Sequence, residues 1–223
     1  VISITAKVIE DDEEKGIGAF IIETDNPGLR IGPKEKKMGW NASDTRQIFF
    51  EDLRVSDEQR LGEPIDGFRT FLKALVGGRI SVGALSCGTA EGAYSAALNY
   101  SHEREAFGKP IHKFQSVGFK LADMATEIEA SKLLVYQAAK KYDEGHNVVK
   151  EAAMAKLFAS ETAMKTTTEA IQVFGGYGYI KEYPAERFFR DAKVLTIGEG
   201  TSEIQKIIIL REILKSLDNA ISV

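Results

Sequence analysis

Several short segments of this sequence hold residue types that could do chemistry. In Ile197-Gly198-Glu199-Gly200-Thr201-Ser202-Glu203-Ile204-Gln205 a carboxylate sits between two glycines. The missing side-chain bulk would let a substrate come close to the carboxylate and to the local backbone N–H. Ser202 and Gln205 have capping-box spacing, which predicts a helix starting here. On local chemistry alone the plainer reading of Glu199 is preferred, an acid favoured near a helix N-terminus. Gln172-Val173-Phe174-Gly175-Gly176-Tyr177-Gly178-Tyr179 reads as a helix ending in a glycine-rich turn with interleaved aromatics. Bare backbone there could meet a diphosphate or a flat ring, although a helix cap and turn is the commoner explanation. It is not a dinucleotide-binding GxGxxG, because it follows a helix and not a strand. Arg104, in Arg104-Glu105-Ala106-Phe107-Gly108-Lys109-Pro110-Ile111, carries a guanidinium fork that matches paired phosphate oxygens. Taken singly, it is an ordinary solvated cation at a helix end. Phe114 and Gln115 lie just beyond. Gly77-Gly78-Arg79 stands at the start of a long helical stretch, where two glycines signal either the close approach of another group or a flexible start.

Two zones must position these segments. Residues 1 to about 60 carry a β signature: Val1 to Ile9, Gly18 to Thr24 and Thr45 to Asp52 read as three strands. Asp25-Asn26-Pro27-Gly28 is a turn signal, and Asp11 to Lys15 reads as a charged surface loop. Three strands cannot close a barrel and leave edges that need cover. From about Gly67 the period changes to 3.6. Ile80, Ala84, Leu85, Ala93, Ala97 and Tyr100 mark one long helix. Val117, Leu121, Met124, Ala125, Ile128, Leu133 and Leu134 mark a second, and Val149, Ala153, Leu157, Phe158 and Ile171 a third. A fourth stripe runs through Ile204, Ile207, Ile208, Leu210, Ile213, Leu214 and Leu217. All four stripes are read as core packing. The predicted fold is mainly α: an antiparallel four-helix bundle over 61–223, preceded by part of a β-barrel or sheet domain over 1–60.

The totals exclude several function classes. The 223 residues carry a formal net charge of −4, with Lys and Arg spread along the chain, which argues against a dedicated nucleic-acid binder. No apolar run is read as long enough to span a bilayer, and no membrane span is expected. The single cysteine, Cys87, sits among small residues and is read as packing rather than as a nucleophile. His102, His112 and His146 share no metal-ligand spacing with one another or with Cys87, and no metal site is expected. Val1 to Val8 looks like a strand already in progress, so the chain is expected to start in the middle of a fold.

In this order, the segments closely resemble the acyl-CoA dehydrogenase family over essentially the whole chain. Pro27-Gly28 through Met38-Gly39-Trp40 to Ser43-Asp44-Thr45-Arg46 and Phe50-Glu51-Asp52 is similar to the later half of that family's middle β-domain. Arg104 to Gln115 resembles its Arg…Phe-Gly-Lys…Gln signature, Gln172 to Gly176 its Gln-x-x-Gly-Gly, and Glu199-Gly200-Thr201 its Glu-Gly-Thr.

The resemblance implies FAD-dependent oxidation across Cα–Cβ of an acyl-CoA thioester, with electrons passed to an electron-transfer flavoprotein. It implies that Glu199 is the base removing the α proton. The thioester carbonyl would be polarised by the backbone N–H of the base and a flavin hydroxyl. Substrate contact falls on Val76, Gly77, Gly78, Arg79 and Gly200. FAD contact falls on Arg104, Ala106, Phe114, Gln115, Gln172, Val173, Phe174, Gly175, Gly176, Thr201, Ser202 and Glu203. Arg104 and the Gln172 to Gly176 group would reach the adenosine diphosphate of a neighbouring subunit's FAD, in a homotetramer built as a dimer of dimers. A bacterial cytoplasm or a mitochondrial matrix would suit such an enzyme. One family subset carries its base immediately before the Arg matched by Arg79, where this chain has Gly78. The family often has Tyr before the base where Gly198 stands here, and some members have a hydroxyl residue in place of Ala106. The competing readings are an acyl-CoA oxidase, with oxygen as acceptor, and a non-enzymatic relative on the same scaffold.

Overall fold

The computed structural model describes residues 1–221, and the side chains through Asp218. It divides into two units. The first comprises residues 1–37 and 41–75, the second residues 38–40 and 76–223.

The first unit is built from two hairpins. Strands β1 (Ile2–Glu10) and β2 (Glu13–Ile22) pair antiparallel, with an irregularity between Val8 and Ile9. Asp11 and Asp12 join them with φ of 53° and 62°, the mirror-image turn whose twist suits a two-residue hairpin. Glu13 to Lys15, expected in a surface loop, are therefore strand residues; their charges point outward and pair there, Lys7 with Glu14 and Lys15 with Glu13. Strands β3 (Leu29–Lys34) and β4 (Arg46–Phe50) form a second antiparallel pair. β3 was not anticipated, because Gly32 and Pro33 interrupt its apolar pattern. The following chain runs beside β2 through single bridges, Phe20 with Arg60 and Ile17 with Asp66. A Cβ on Gly67 would stand 2.4 Å from Ala19 N, so only glycine fits that close approach.

The second unit is helical. α1 (Gly67–Glu103) starts in the first unit and continues into the second from Val76. A short hairpin follows, β5 (Glu105–Ala106) with β6 (Lys109–Pro110). Then come α2 (Gln115–Asp143), α3 (Val149–Phe174), α4 (Ala185–Ala192) and α5 (Ser202–Ile221). The four long helices match the periodic segments of the sequence. α4 is additional: its eight residues, AERFFRDA, are too few to establish a sustained period.

α3 is the centre of this unit. Ala152, Ala153, Ala155, Ala159, Ala163 and Ala170 are fully buried and let neighbouring helices approach closely. Ile80 and Cys87 of α1 pack there with Val135 and Ala138 of α2. Further along, Ala93 and Ala97 of α1 meet Leu121 and Met124 of α2 and Phe174 of α3. Burial raises the Cys87 thiol above its ordinary pKa, consistent with a packing role. Contrary to the expectation from run length, α1 contains an 18-residue window of mean hydropathy 1.2 and is long and apolar enough to cross a membrane. Small and apolar residues interleave there with few charges, and Ala90, Ala93 and Ala97 of α1 are buried in the bundle.

Two stripes depart from the core reading. On α5, Ile207, Leu210 and Leu217 are each more than half exposed, as is Leu133 of α2. Helical period identifies an apolar face; it does not say what covers it.

The Met38–Trp40 segment belongs to the helical unit. Trp40 N–H donates to Asp191 Oδ1 at 2.6 Å, and Arg190 donates to Met38 O at 2.7 Å. A Cβ on Gly39 would lie 2.6 Å from Arg190 O, a backbone atom that cannot move cheaply. Gly39→Ala is therefore expected to cost about 1–3 kcal/mol, read as a lower denaturation midpoint with unchanged slope in urea.

Candidate active site

The turn before α5 carries an uncommon backbone. Glu199 has φ 54° and Gly200 φ 93°. A left-handed conformation is unfavourable for a residue with a Cβ and persists only where its surroundings hold it. Gly198 N–H closes the preceding turn onto Val194 O at 2.8 Å. Among the described residues, the N–H of Glu199 donates to no other backbone or side-chain group. A carboxylate and an uncommitted N–H thus belong to one half-buried residue.

The start of α5 is where the sequence predicts it, but the caps differ. Thr201 Oγ1, not Ser202, accepts from the helix, at 3.4 Å from Ile204 N. Ser202 is buried and its hydroxyl donates to Glu161. Gln205 is also buried, and its Nε2 donates to Glu199 O at 3.1 Å and Gly200 O at 2.8 Å. The capping-box spacing therefore locates the helix start by other contacts than the box itself. Glu203 is exposed, and its carboxyl is held below its ordinary pKa by a backbone N–H and the Thr201 hydroxyl.

α1 brings Gly78 against this turn. A Cβ on Gly78 would stand 2.6 Å from Glu199 Oε2 and 3.0 Å from its Cδ. Gly78 on α1 and the Glu199 carboxylate on the turn before α5 thus converge on one place. Half-buried Val76 and Gly77 precede it, with Tyr142 of α2 beside Gly77: its hydroxyl is 3.5 Å from where a Cβ would be. Arg79 is buried, and its Nε has no hydrogen-bond partner among the described residues. Burial pushes the Arg79 guanidinium below its ordinary pKa, the Glu199 charge opposing and Arg211 reinforcing this. Lys156, from the middle of α3, is wholly buried and donates to Gly200 O at 2.9 Å.

A second cluster lies at the other end of α1. Arg104, Val173, Phe174, Gly175 and Gly176 line one cavity of about 500 Å³ with Tyr100, Ile111, Tyr177 and Ile180. That volume suits a small ligand or part of a cofactor. Tyr100 stacks on Phe174 at 4.2 Å, and Tyr183 packs edgewise on both, making a rigid floor. The Arg104 guanidinium lies 5.7 Å from the Tyr177 ring centre. α3 ends as Gly175, at φ 60°, donates its N–H to Gln172 O, and the space beside Gly175 and Gly176 is open. Gln172 itself is exposed and does not line the cavity. Ala106 is on the β5–β6 hairpin, whose tip residue Phe107 is 96% exposed. Phe114 and Gln115 start α2. Phe114 packs against Phe107, with Lys109 Nζ 4.3 Å over its ring.

The predicted cofactor residues therefore form two groups in one chain. Gly78 lies 25 helical steps before Glu103, the last residue of α1 and the neighbour of Arg104, or about 38 Å at 1.5 Å per residue. Thr201 to Glu203 sit with Glu199, whereas Arg104 and Val173 to Gly176 sit at the far end. Tyr100, read as a core position, also lines this cavity, and nothing local links Lys156 or the Gln205 side chain to the Glu199 turn.

Residues 66–214 match the family model described as the acyl-CoA dehydrogenase C-terminal domain. The chain belongs to the acyl-CoA dehydrogenase family. It is 49% identical over 215 residues to a probable acyl-CoA dehydrogenase, YngJ, of Bacillus subtilis, covering 96% of this chain and 56% of that protein. The solved butyryl-CoA dehydrogenase of Megasphaera elsdenii superposes with a TM-score of 0.91 at 47% identity, over 95% of this chain and 55% of that one. The structure described as PigA with FAD and proline superposes with a TM-score of 0.89 at 32% identity, over 95% and 55% of the two chains. The chain thus spans about half the length of the relatives it matches. Its bundle is the helical domain of the family.

Proposed function

We propose that this chain works as part of a longer FAD-dependent acyl-CoA dehydrogenase, with Glu199 as the base. The observation that carries the reading is the Glu199 turn. One residue offers a carboxylate over the bare Cα of Gly78 and, in a left-handed backbone, an uncommitted N–H.

The chemistry asked of it is a two-electron oxidation. The α proton of the thioester goes to a Glu199 oxygen as the Cα–Cβ double bond forms. Bound FAD would supply the acceptor for the hydride that leaves Cβ. Negative charge builds on the thioester oxygen as the proton leaves, and the Glu199 N–H would donate to that oxygen. Gly77 and Gly78 leave room for the substrate beside the carboxylate, and the buried positive charge of Arg79 lies in the same surroundings. Gly200 is a backbone contact without a side chain to obstruct the thioester.

The cavity at the far end of α1 suits the diphosphate end of FAD. Arg104 offers a fork for paired oxygens, and Gly175–Gly176 offers open backbone. About 38 Å along α1 is more than one extended flavin dinucleotide covers. The two groups of this chain therefore serve two FAD molecules, the cavity reaching the cofactor whose reactive ring lies in a neighbouring subunit. This supports the oligomer, a dimer of dimers, and makes subunit association a condition of cofactor binding. Thr201 to Glu203, Ala106, Phe114 and Gln115 are proposed as further FAD contacts. An electron-transfer flavoprotein is the proposed acceptor.

Arg104→Ala is expected to weaken FAD binding by about 10- to 100-fold, the loss of a charge-assisted hydrogen bond. Flavin retained through gel filtration and calorimetric titration of the apoprotein check this.

The test of the reading is product analysis. The full-length protein with butyryl-CoA and a flavin-oxidising dye should release the trans-2-enoyl thioester. Equal turnover in air without dye, with stoichiometric peroxide, would make it an oxidase. Absence of product under both conditions would leave the non-enzymatic relative.

A further inference from the structure

Lys156 is out of place by packing logic. It occupies the buried face of α3 with Ala152, Ala155, Ala159 and Ala163, all fully buried. Desolvation of an ammonium is expensive unless its charge is paired. Among the described residues Lys156 forms no ion pair within 4 Å; its one hydrogen bond runs to Gly200 O at 2.9 Å. A methionine would fill the same volume without that cost, so packing alone does not account for an ammonium here.

Its partner accounts for it. Gly200 O accepts from Lys156 Nζ and also from Gln205 Nε2 at 2.8 Å, and Glu199 O accepts from the same Gln205 nitrogen at 3.1 Å. The two carbonyls that follow the left-handed Glu199 and Gly200 are thus held from beneath by donors on α3 and α5. Both donors are wholly buried, and Gln205 Oε1 has no partner among the described residues. An unfavourable backbone conformation needs its surroundings to over-determine it. These donors fix the two peptide planes that set where the Glu199 carboxylate and N–H point.

We propose that Lys156 is a positioning residue for the catalytic base: through the Gly200 carbonyl it holds the strained turn, so that the Glu199 carboxylate and N–H reach the substrate together. Gln205 shares this work. The inference rests on Glu199 being the base. Lys156 itself touches neither substrate nor cofactor in this account.

The test uses the full-length flavoenzyme. Lys156→Met keeps nearly the side chain's volume and its apolar packing and removes the donor. Anaerobic reduction by butyryl-CoA is followed in a stopped-flow instrument, with the rate constant expressed per bound flavin. A displacement of about 1 Å costs on the order of 10²-fold in rate. The expected result is a 30- to 100-fold slower limiting reduction rate, with flavin content preserved and the substrate dissociation constant changed less than about threefold. A purely structural role would lower flavin content or melting temperature and leave the rate per bound flavin alone, which would overturn the proposal. If Lys156→Met does not assemble, Gln205→Leu decides by the same split. Its limiting rate should fall likewise, and a wild-type rate refutes the clamp. Glu199→Gln runs alongside. If it reduces flavin at the wild-type rate, the base assignment is wrong. If it is inactive while Lys156→Met is unimpaired, only the positioning role fails.

Discussion

Glu199→Gln in the full-length protein is expected to slow anaerobic flavin reduction by butyryl-CoA by about 10²- to 10⁴-fold, the usual contribution of a general base. The amide is nearly isosteric with the carboxylate and cannot take a proton. The backbone N–H is untouched, so polarisation of the thioester oxygen survives. Substrate affinity should therefore change little, the loss appearing in the limiting rate constant. Gel filtration and flavin content should match the wild type. Equal loss of affinity and rate would instead indicate that the turn had been rearranged.

Gly78→Ala is the second large effect, and it separates stability from activity. Glycine in a helix interior is about 1 kcal/mol worse than alanine, so on α1 the substitution favours folding. The new methyl would stand 2.6 Å from Glu199 Oε2. That atom is the end of a flexible side chain and can swing aside at small cost to the fold. It cannot do so and remain where the α proton arrives. The expected result is a melting temperature equal to or above wild type, with flavin reduction slowed by about 10²-fold. A variant that is less stable yet fully active would mean that the carboxylate works from another position. The same geometry accounts for Gly78 in this chain: an acid there and an acid at 199 would contend for one space.

Sequence reading and structure part company at identifiable residues. α1, α2, α3 and α5 were legible from a sustained 3.6-residue period. β3 was hidden by Gly32 and Pro33, and α4 by its shortness. The stripe on α5 marked a real face, yet Ile207, Leu210 and Leu217 remain exposed, because period does not specify a covering partner. Segments of the candidate site could be picked out one by one, while their grouping could not. Nothing local links Gly78 to Glu199, or sets Arg104 apart from Thr201 to Glu203 at the two ends of α1. Lys156 did leave a signal: a charge placed on the alanine stripe of α3, at the spacing of buried positions. A buried ammonium needs a partner, and here its one hydrogen bond runs to the turn carrying the base.

The most direct test of the account is an anaerobic titration of the purified full-length protein with butyryl-CoA, followed by flavin absorbance. The account predicts a yellow protein whose oxidised-flavin band bleaches as substrate is added, with formation of the trans-2-enoyl thioester. A flavin that is bound but stays oxidised at saturating butyryl-CoA, and equally with longer and branched acyl-CoA thioesters, would contradict it.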